Sequence, residues 1–280
     1  MLYEEFTLTE KYSAPLLQCF SVDQFRDEKF AASVRPAVLV LPGGGYSRLS
    51  DRESELIALS YLSEGFNAFV LRYGVQEHAR FPDPLIEVSL AIKYSKDHAS
   101  RYMVDPEHIF VIGFSAGGHL AASIGTIWNE PVIYEETGMQ YGENRPFGTI
   151  LSYPVISGDP SIWHKNSFKK LAGVDADGEP IRSECEKYSM EKRVTEHTRP
   201  AFLWSTVTDQ IVPVENTLVY ASALQAHKIP YELHIFPEGR HGLSLANELT
   251  SGGIESRINP VAAQWLSLSV RWMKDLVAAN

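Results

Sequence analysis

From residue 36 onward the chain alternates short unbroken apolar runs with stretches whose apolar residues recur every three or four positions. The runs are Ala37 to Leu41 (AVLVL), Asn67 to Leu71 (NAFVL), His108 to Ile112 (HIFVI), Thr149 to Tyr153 (TILSY), Ala201 to Ser205 (AFLWS) and Glu232 to Phe236 (ELHIF). Their continuity predicts strands covered on both faces, hence a mostly parallel sheet with helices on either side. Between them, Leu56, Leu59 and Leu62 predict a first helix, opened by a capping box from Ser50 to Glu53. Leu85, Val88 and Ile92 predict a second helix, Leu218, Ala221 and Leu224 a later one, and Trp265, Trp272 and Leu276 the last. Ahead of the alternation, Glu5 to Thr9 and Leu16 to Val22 read as strands that add an antiparallel N-terminal edge. Residues 155–200 break the rhythm. They hold Gly158-Asp159-Pro160, a short helical piece from Ser161 to Leu171, the turn residues of Gly173 to Pro180 and a charged helix from Ser183 to Lys192. An insertion of that length between buried strands predicts a cap over a site. Nothing else divides the chain, so 1–280 is expected to form one domain.

Composition and charge narrow the partners. Asp and Glu outnumber Lys and Arg by 35 to 25, a formal charge of -10 that repels phosphate backbones and anionic lipid, so neither nucleic acid nor membrane is expected. No apolar stretch approaches the roughly 18 residues of a membrane span. The first residues, with Glu4, Glu5, Glu10 and Lys11, lack a basic-then-apolar leader, and a cytoplasmic location is expected. Cys19 and Cys185 stand far apart with no Cys/His cluster, which predicts reduced thiols and no zinc.

The candidate chemistry begins at Gly113-Phe114-Ser115-Ala116-Gly117, a G-x-S-x-G string that follows a strand and opens a helix. On a sharp strand-to-helix turn the Ser115 hydroxyl stands above the carboxyl edge of the sheet, and glycines flank it because a Cβ there would collide with a neighbouring element. Serine alone is a poor nucleophile and needs a base and an orienting acid. In this arrangement they follow it in the order acid, then histidine. Asp209 comes just after the Ala201 to Ser205 run, and His241 lies on the loop after the Glu232 to Phe236 run. Of the other histidines, His78, His98, His197 and His227 sit in loops or on helix faces, His108 and His234 within strands, His119 beyond Ser115 on its helix, and His164 in the insertion. Glu215 rivals Asp209 but begins a helix, where a carboxylate already serves the dipole. Pro42-Gly43-Gly44-Gly45-Tyr46 follows the first buried strand. Its glycines free backbone N–H groups to face a substrate carbonyl, so Gly44, Gly45 and Ala116 are the expected oxyanion donors. A phosphate-cradling loop is the competing reading, and both G-x-G-x-x-G and the Lys-Ser/Thr ending of a P-loop are missing.

With these elements in place the chain resembles the α/β-hydrolase superfamily, and within it the acetyl-esterase branch of bacterial acetyl-xylan-esterase-like proteins, near the hormone-sensitive-lipase-like and dienelactone-hydrolase-like esterases. The resemblance covers roughly residues 35–278 and rests on PGGGY from Pro42, GFSAGGHLAAS from Gly113, YPVIS from Tyr153, DQIVPVEN from Asp209 and FPEGRHGLSLA from Phe236. It implies Ser115 as nucleophile, Asp209 as acid, His241 as base and the N–H groups of Gly44 and Ala116 as oxyanion donors. Where lipase-like relatives have a histidine before the glycines this chain has Pro42, which points away from long-chain lipids.

The expected activity is hydrolysis of short-acyl, above all acetyl, esters of sugars or xylo-oligosaccharides through an acyl-enzyme, with no metal or organic cofactor. A free imidazole titrates near about 6.5, so activity is expected to fall on the acid side. Tyr46, Trp163 and His164 are the candidate substrate contacts. Three rivals remain. A prolyl-oligopeptidase-like serine peptidase shares the triad order but has a large additional domain. A lactone hydrolase uses the same chemistry on a cyclic ester. A non-catalytic binding protein of the same fold would leave triad positions unfilled. The sequence leaves open whether the chain forms a homo-oligomer.

Overall fold

The computed structural model describes residues 1–22 and 34–279, so residues 23–33 and 280 of the 1–280 span expected to form one domain lie outside the described residues. Strand β1 (Leu2–Thr7) and strand β2 (Leu16–Ser21) form an antiparallel hairpin, and β2 then pairs antiparallel with β4 (Asn67–Arg72). Strands β3 (Arg35–Leu41), β4, β5 (Val104–Phe114), β6 (Gly148–Ser152), β7 (Ala201–Thr206) and β8 (Tyr231–Phe236) run parallel. Among the described residues the sheet has eight strands in the order β1-β2-β4-β3-β5-β6-β7-β8. This is the mostly parallel sheet with an antiparallel N-terminal edge read from the apolar runs. The first edge strand starts earlier than Glu5 because its register with β2 runs from Leu2 opposite Ser21 to Thr7 opposite Leu16.

The inner strands are continuous apolar runs because both faces are covered. On β3, Ala37, Leu39 and Leu41 enter one core, which also holds Leu85, Val88 and Ile92 of α2 (Asp83–Asp97). Val38 and Val40 enter the opposite core with Ile57, Ala58 and Tyr61 of α1 (Glu55–Ser63). The first helix therefore buries a different stripe from the expected one. Leu59 is exposed and Leu56 and Leu62 are half-buried, while Tyr61 is fully buried, with its hydroxyl bonded to Ser269 Oγ at 2.7 Å. The expected capping box is absent as well. Ser50 makes no side-chain cap and leads into a short 3-10 turn, while Glu53 faces inward to other partners.

After α3 (Ala99–Tyr102) and β5 comes α4 (Ala116–Ile127), buried along its whole length. The chain continues through α5 (Pro131–Thr137), α6 (Lys165–Ala172), α7 (Arg182–Lys187), α8 (Glu215–Ala226), α9 (Glu248–Ser251) and α10 (Trp265–Ala278). On α8, Leu218 is exposed while Ala221 and Leu224 are buried. Among the described residues no helix is long and apolar enough to cross a membrane.

Strand order reverses at β3, which lies between β4 and β5, and a crevice forms outside the carboxyl ends of strands at such a switch point. One buried polar pair stands just behind it. The Tyr188 carbonyl oxygen only accepts, so His119 Nε2 carries the proton that it receives at 2.8 Å, and His119 Nδ1 accepts from the Tyr46 hydroxyl at 2.9 Å. Burial lowers the His119 pKa to about 4. Because the folded value lies below the unfolded value of about 6.5, the unfolded chain binds the extra proton, and stability present at neutral pH is lost as pH falls through that window. The full loss is about 3 kcal/mol. Urea unfolding of the wild type is expected to show a marked drop in midpoint from about pH 7 to about pH 5, and His119→Gln, which does not titrate, a smaller one.

Candidate active site

The turn from β5 into α4 puts Ser115 at φ 53° and ψ -115°, a left-handed conformation that costs a non-glycine residue about 1–3 kcal/mol. Three backbone bonds hold it there. The Ser115 N–H donates to the Ser152 carbonyl at 3.0 Å, and the Ser115 carbonyl accepts from the N–H groups of His119 and Val155, each at 3.0 Å. Gly117 is required by close approach, since a Cβ on it would lie 2.2 Å from the Leu41 carbonyl oxygen of β3. The result is a buried serine whose hydroxyl faces a cavity of about 900 Å³.

The loops after β7 and β8 bring the other two groups to that hydroxyl. Ser115 Oγ lies 2.8 Å from His241 Nε2, and His241 Nδ1 lies 2.6 Å from Asp209 Oδ2. A carboxylate only accepts, so Nδ1 carries the proton toward Asp209 and the Nε2 lone pair is left to accept from the Ser115 hydroxyl. Asp209 is itself oriented, because its Oδ1 accepts from the N–H groups of Ile211 at 2.9 Å and Val212 at 3.0 Å. The Asp209 side chain is 1% exposed and that of His241 17%, so the pair is shielded from bulk water. The edge of the Tyr153 ring supports the imidazole with centroids 5.1 Å apart.

The glycine loop after β3 lines the same cavity through Gly44 and Gly45. Gly44 has φ +137°, and a Cβ there would lie 2.0 Å from the Arg48 carbonyl oxygen. Among the described residues the Gly44 and Gly45 N–H groups donate no hydrogen bond, and Ala116 opens α4, where a first-turn N–H has no intrahelical acceptor. Gly44 and Gly45 line the cavity together with Ser115, and Ala116 follows Ser115 at the helix's positive end, an arrangement suited to developing negative charge.

The expected substrate contacts divide. His164, at the start of α6, lines the cavity with Asn166 and is held by Ser167 Oγ at 2.8 Å. Burial, and then the nearby His241, push its pKa below the usual imidazole value. Tyr46 does not line the cavity. Only 1% of it is exposed, and its hydroxyl is committed to His119 because the glycine turn folds its side chain into the core. Nor does Trp163, whose ring stacks toward Phe168 with centroids 6.5 Å apart under the guanidinium of Arg182. Of the 155–200 insertion, the cavity wall thus takes His164 and Asn166, while Phe168, Leu171 and Met190 are buried in the core.

Several residues at the site carry no sequence signal of their own. The Glu53 carboxylate accepts from the Gly43 N–H at 3.0 Å and from the Tyr153 hydroxyl at 2.7 Å. That same hydroxyl accepts from the Ser244 N–H at 2.9 Å, so one buried chain of bonds ties the glycine loop to the loop that carries His241. Arg52 adds a second tie, donating to the Gly242 carbonyl at 2.9 Å and the Thr250 carbonyl at 2.5 Å. A capping-box spacing drew attention to Glu53 for another reason, and Arg52 has no local pattern at all.

Comparison with known proteins places this architecture. The BD-FAE family model matches residues 23–224. Endo-1,4-beta-xylanase B of Butyrivibrio fibrisolvens is 37% identical over 219 residues, which are 76% of this chain and 33% of that protein. An acetylxylan esterase of Xylanibacter ruminicola is 34% identical over 209 residues, 74% of this chain and 40% of that protein. The chain therefore spans between a third and two fifths of the length of these curated relatives. The crystal structure of an acetyl ester-xyloside bifunctional hydrolase from Caldicellulosiruptor lactoaceticus superposes with a TM-score of 0.79 at 33% identity, covering 98% of this chain and 96% of that one. The match to the family model over most of the sequence, joined to a fold shared along nearly its whole length, means that the chain belongs to the BD-FAE family of α/β-hydrolase esterases.

Proposed function

We propose that this chain is a serine carboxylic ester hydrolase that removes short acyl groups, acetyl above all, from sugars or xylo-oligosaccharides. The observation that carries the reading is the unbroken hydrogen-bonded line from Ser115 through His241 to Asp209, opening on a cavity lined by Gly44 and Gly45 of the glycine loop. In this reading Ser115 Oγ attacks the ester carbonyl and gives its proton to His241 Nε2. The carbonyl oxygen becomes an oxyanion opposite the N–H groups of Gly44, Gly45 and Ala116, each donor contributing about 10²–10³ in rate. His241 then protonates the departing sugar hydroxyl, leaving an acyl-serine. Water, deprotonated by the same imidazole, attacks the acyl-serine and releases the acid and Ser115. Asp209 keeps the imidazole in the required tautomer and stabilises it while charged.

The acetyl and xylan part of the proposal draws on the acetylxylan esterase relative and on the structurally similar acetyl ester-xyloside hydrolase. The reading also takes 1–280 as one domain with 155–200 as its cap, and a cytoplasmic location supported by two buried free cysteines. The test is a substrate panel: p-nitrophenyl esters of increasing acyl length, acetylated xylo-oligosaccharides, a lactone and a prolyl amide. Highest kcat/KM on the acetyl compounds supports the reading, and preference for the amide, the lactone or long acyl chains overturns it.

Glu53 acts in this reading as a positioning residue, because its carboxylate is taken up by Gly43, next to the oxyanion donors, and by Tyr153. Glu53→Ala is expected to lower kcat on p-nitrophenyl acetate by about tenfold to a hundredfold while KM changes little. Glu53→Gln is expected to recover most of the loss, since its amide oxygen still accepts from Gly43. Steady-state kinetics of the two variants checks both statements.

A further inference from the structure

The chain is acidic overall, yet its reaction cavity is walled by arginine. Arg48, Arg52, Arg240 and Arg257 all line it, while the formal charge of the chain is -10. They come from separate segments: Arg48 and Arg52 from the loop after β3, Arg240 from the residue before His241, and Arg257 from the 3-10 turn Glu255–Arg257. Such convergence of like charges is costly and calls for a counter-charge.

The protein supplies little of it. Among the described residues the arginine–carboxylate pairs are Arg72 with Asp51, Arg101 with Glu4, Arg193 with Glu130, and Arg271 with Glu232 and Asp275, and the cavity arginines take part in none. Two carboxylates share the wall, Glu53 and Glu238. Glu53 is committed to Gly43 and Tyr153, and Glu238 stands exposed. Three of the four bond to neutral oxygens instead. Arg240 donates to Ser256 Oγ at 3.2 Å, Arg257 to the Ser251 carbonyl at 3.0 Å, and Arg52 to the two carbonyls already named. Burial, then the charges of Arg52 and Arg240, hold the Arg257 guanidinium below its usual pKa against the smaller opposing pull of Glu53. Each guanidinium has five donors in a planar fork, so these bonds leave N–H groups open, and the fork matches a carboxylate.

We propose that the esters taken by this site carry a carboxylate, held by Arg240 and Arg257 with the charge of Arg52 behind them, beside the bond cleaved at Ser115. This rests on the esterase reading and refines its substrate class: an acyl ester of a sugar that bears a uronic acid, or an ester whose acyl group itself ends in a carboxylate. The chain's net charge of -10 repels such molecules at long range, and the arginine wall reverses that sign at the cavity.

The experiment compares kcat/KM on an acetylated xylo-oligosaccharide bearing one uronic acid residue with that on its neutral counterpart. A second pair, p-nitrophenyl hydrogen succinate against p-nitrophenyl butyrate, reads the acyl side. At least one pair is expected to favour the acid by about tenfold or more at low ionic strength, with the preference shrinking in about 0.5 M salt. The pair that shows it identifies which side of the ester carries the carboxylate. In the double variant Arg240→Gln/Arg257→Gln the ratio is expected to fall toward one. A readout without turnover is calorimetric binding to Ser115→Ala of the deacetylated uronic-acid oligosaccharide against the neutral one, and of succinate against butyramide, with the acid of at least one pair expected to bind more tightly. Neutral acetyl esters turning over with no preference in either pair and no tighter binding would overturn the anion site and leave the esterase reading standing. Tighter binding of the uronic-acid oligosaccharide with no ester cleaved would do the reverse.

Discussion

Ser115→Ala is expected to lower kcat for acetyl ester hydrolysis by on the order of 10⁶, with the fold intact. The size follows from what the hydroxyl does in the proposed mechanism: without Oγ no acyl-enzyme forms, and what remains is attack by water next to the oxyanion donors. Alanine is compatible with the local packing, because the strained turn is held by backbone bonds to Ser152, His119 and Val155 that do not involve the side chain. Thermal unfolding within a few degrees of the wild type, together with steady-state kinetics on p-nitrophenyl acetate, is the check. A variant that retained a tenth of the wild-type kcat would mean that another group attacks the ester.

The second large effect is expected at Asp209. In Asp209→Asn the N–H groups of Ile211 and Val212 still require an acceptor at the Oδ1 position, so the amide oxygen takes that place. The amide NH₂ then occupies the Oδ2 position, 2.6 Å from His241 Nδ1. Two donors cannot share that contact, so the imidazole moves its proton to Nε2 and no longer accepts from Ser115. The expected loss is about 10⁴ in kcat with little change in KM. Kinetics alongside an unfolding curve separates this from misfolding, and a loss of less than about tenfold would point to another acid, with Glu215 at the start of α8 the first to examine.

How much of this was legible in the sequence depended on whether the relevant pattern was local. The buried strands announced themselves because AVLVL or HIFVI has no polar alternation, and a strand in that state needs cover on both faces. Ser115, Asp209 and His241 were legible for a related reason, since each follows a recognisable strand and the geometry of the sheet brings strand ends together. The first helix lies where the leucines place it, but its buried face was not legible, because leucine spacing alone does not say which side meets the core, and Ile57, Ala58 and Tyr61 take that side. Tyr46 was misassigned because adjacency to the glycine loop says nothing about which way a ring turns. Glu53, Tyr153 and the arginine wall were invisible as a group. Their members lie up to 209 positions apart in the chain, from Arg48 to Arg257, and only the folded loops bring them together.

The central claim is that Ser115, activated by His241, becomes covalently attached to the acyl group. Incubation with a fluorophosphonate, followed by intact mass measurement and peptide mapping, tests it directly. A single adduct is expected on the peptide that contains Ser115, formed far more slowly in His241→Ala and blocked by prior exposure to an acetyl ester under turnover. An enzyme that hydrolyses acetyl esters at full rate while Ser115 stays unlabelled, or while the adduct sits on another residue, would contradict it.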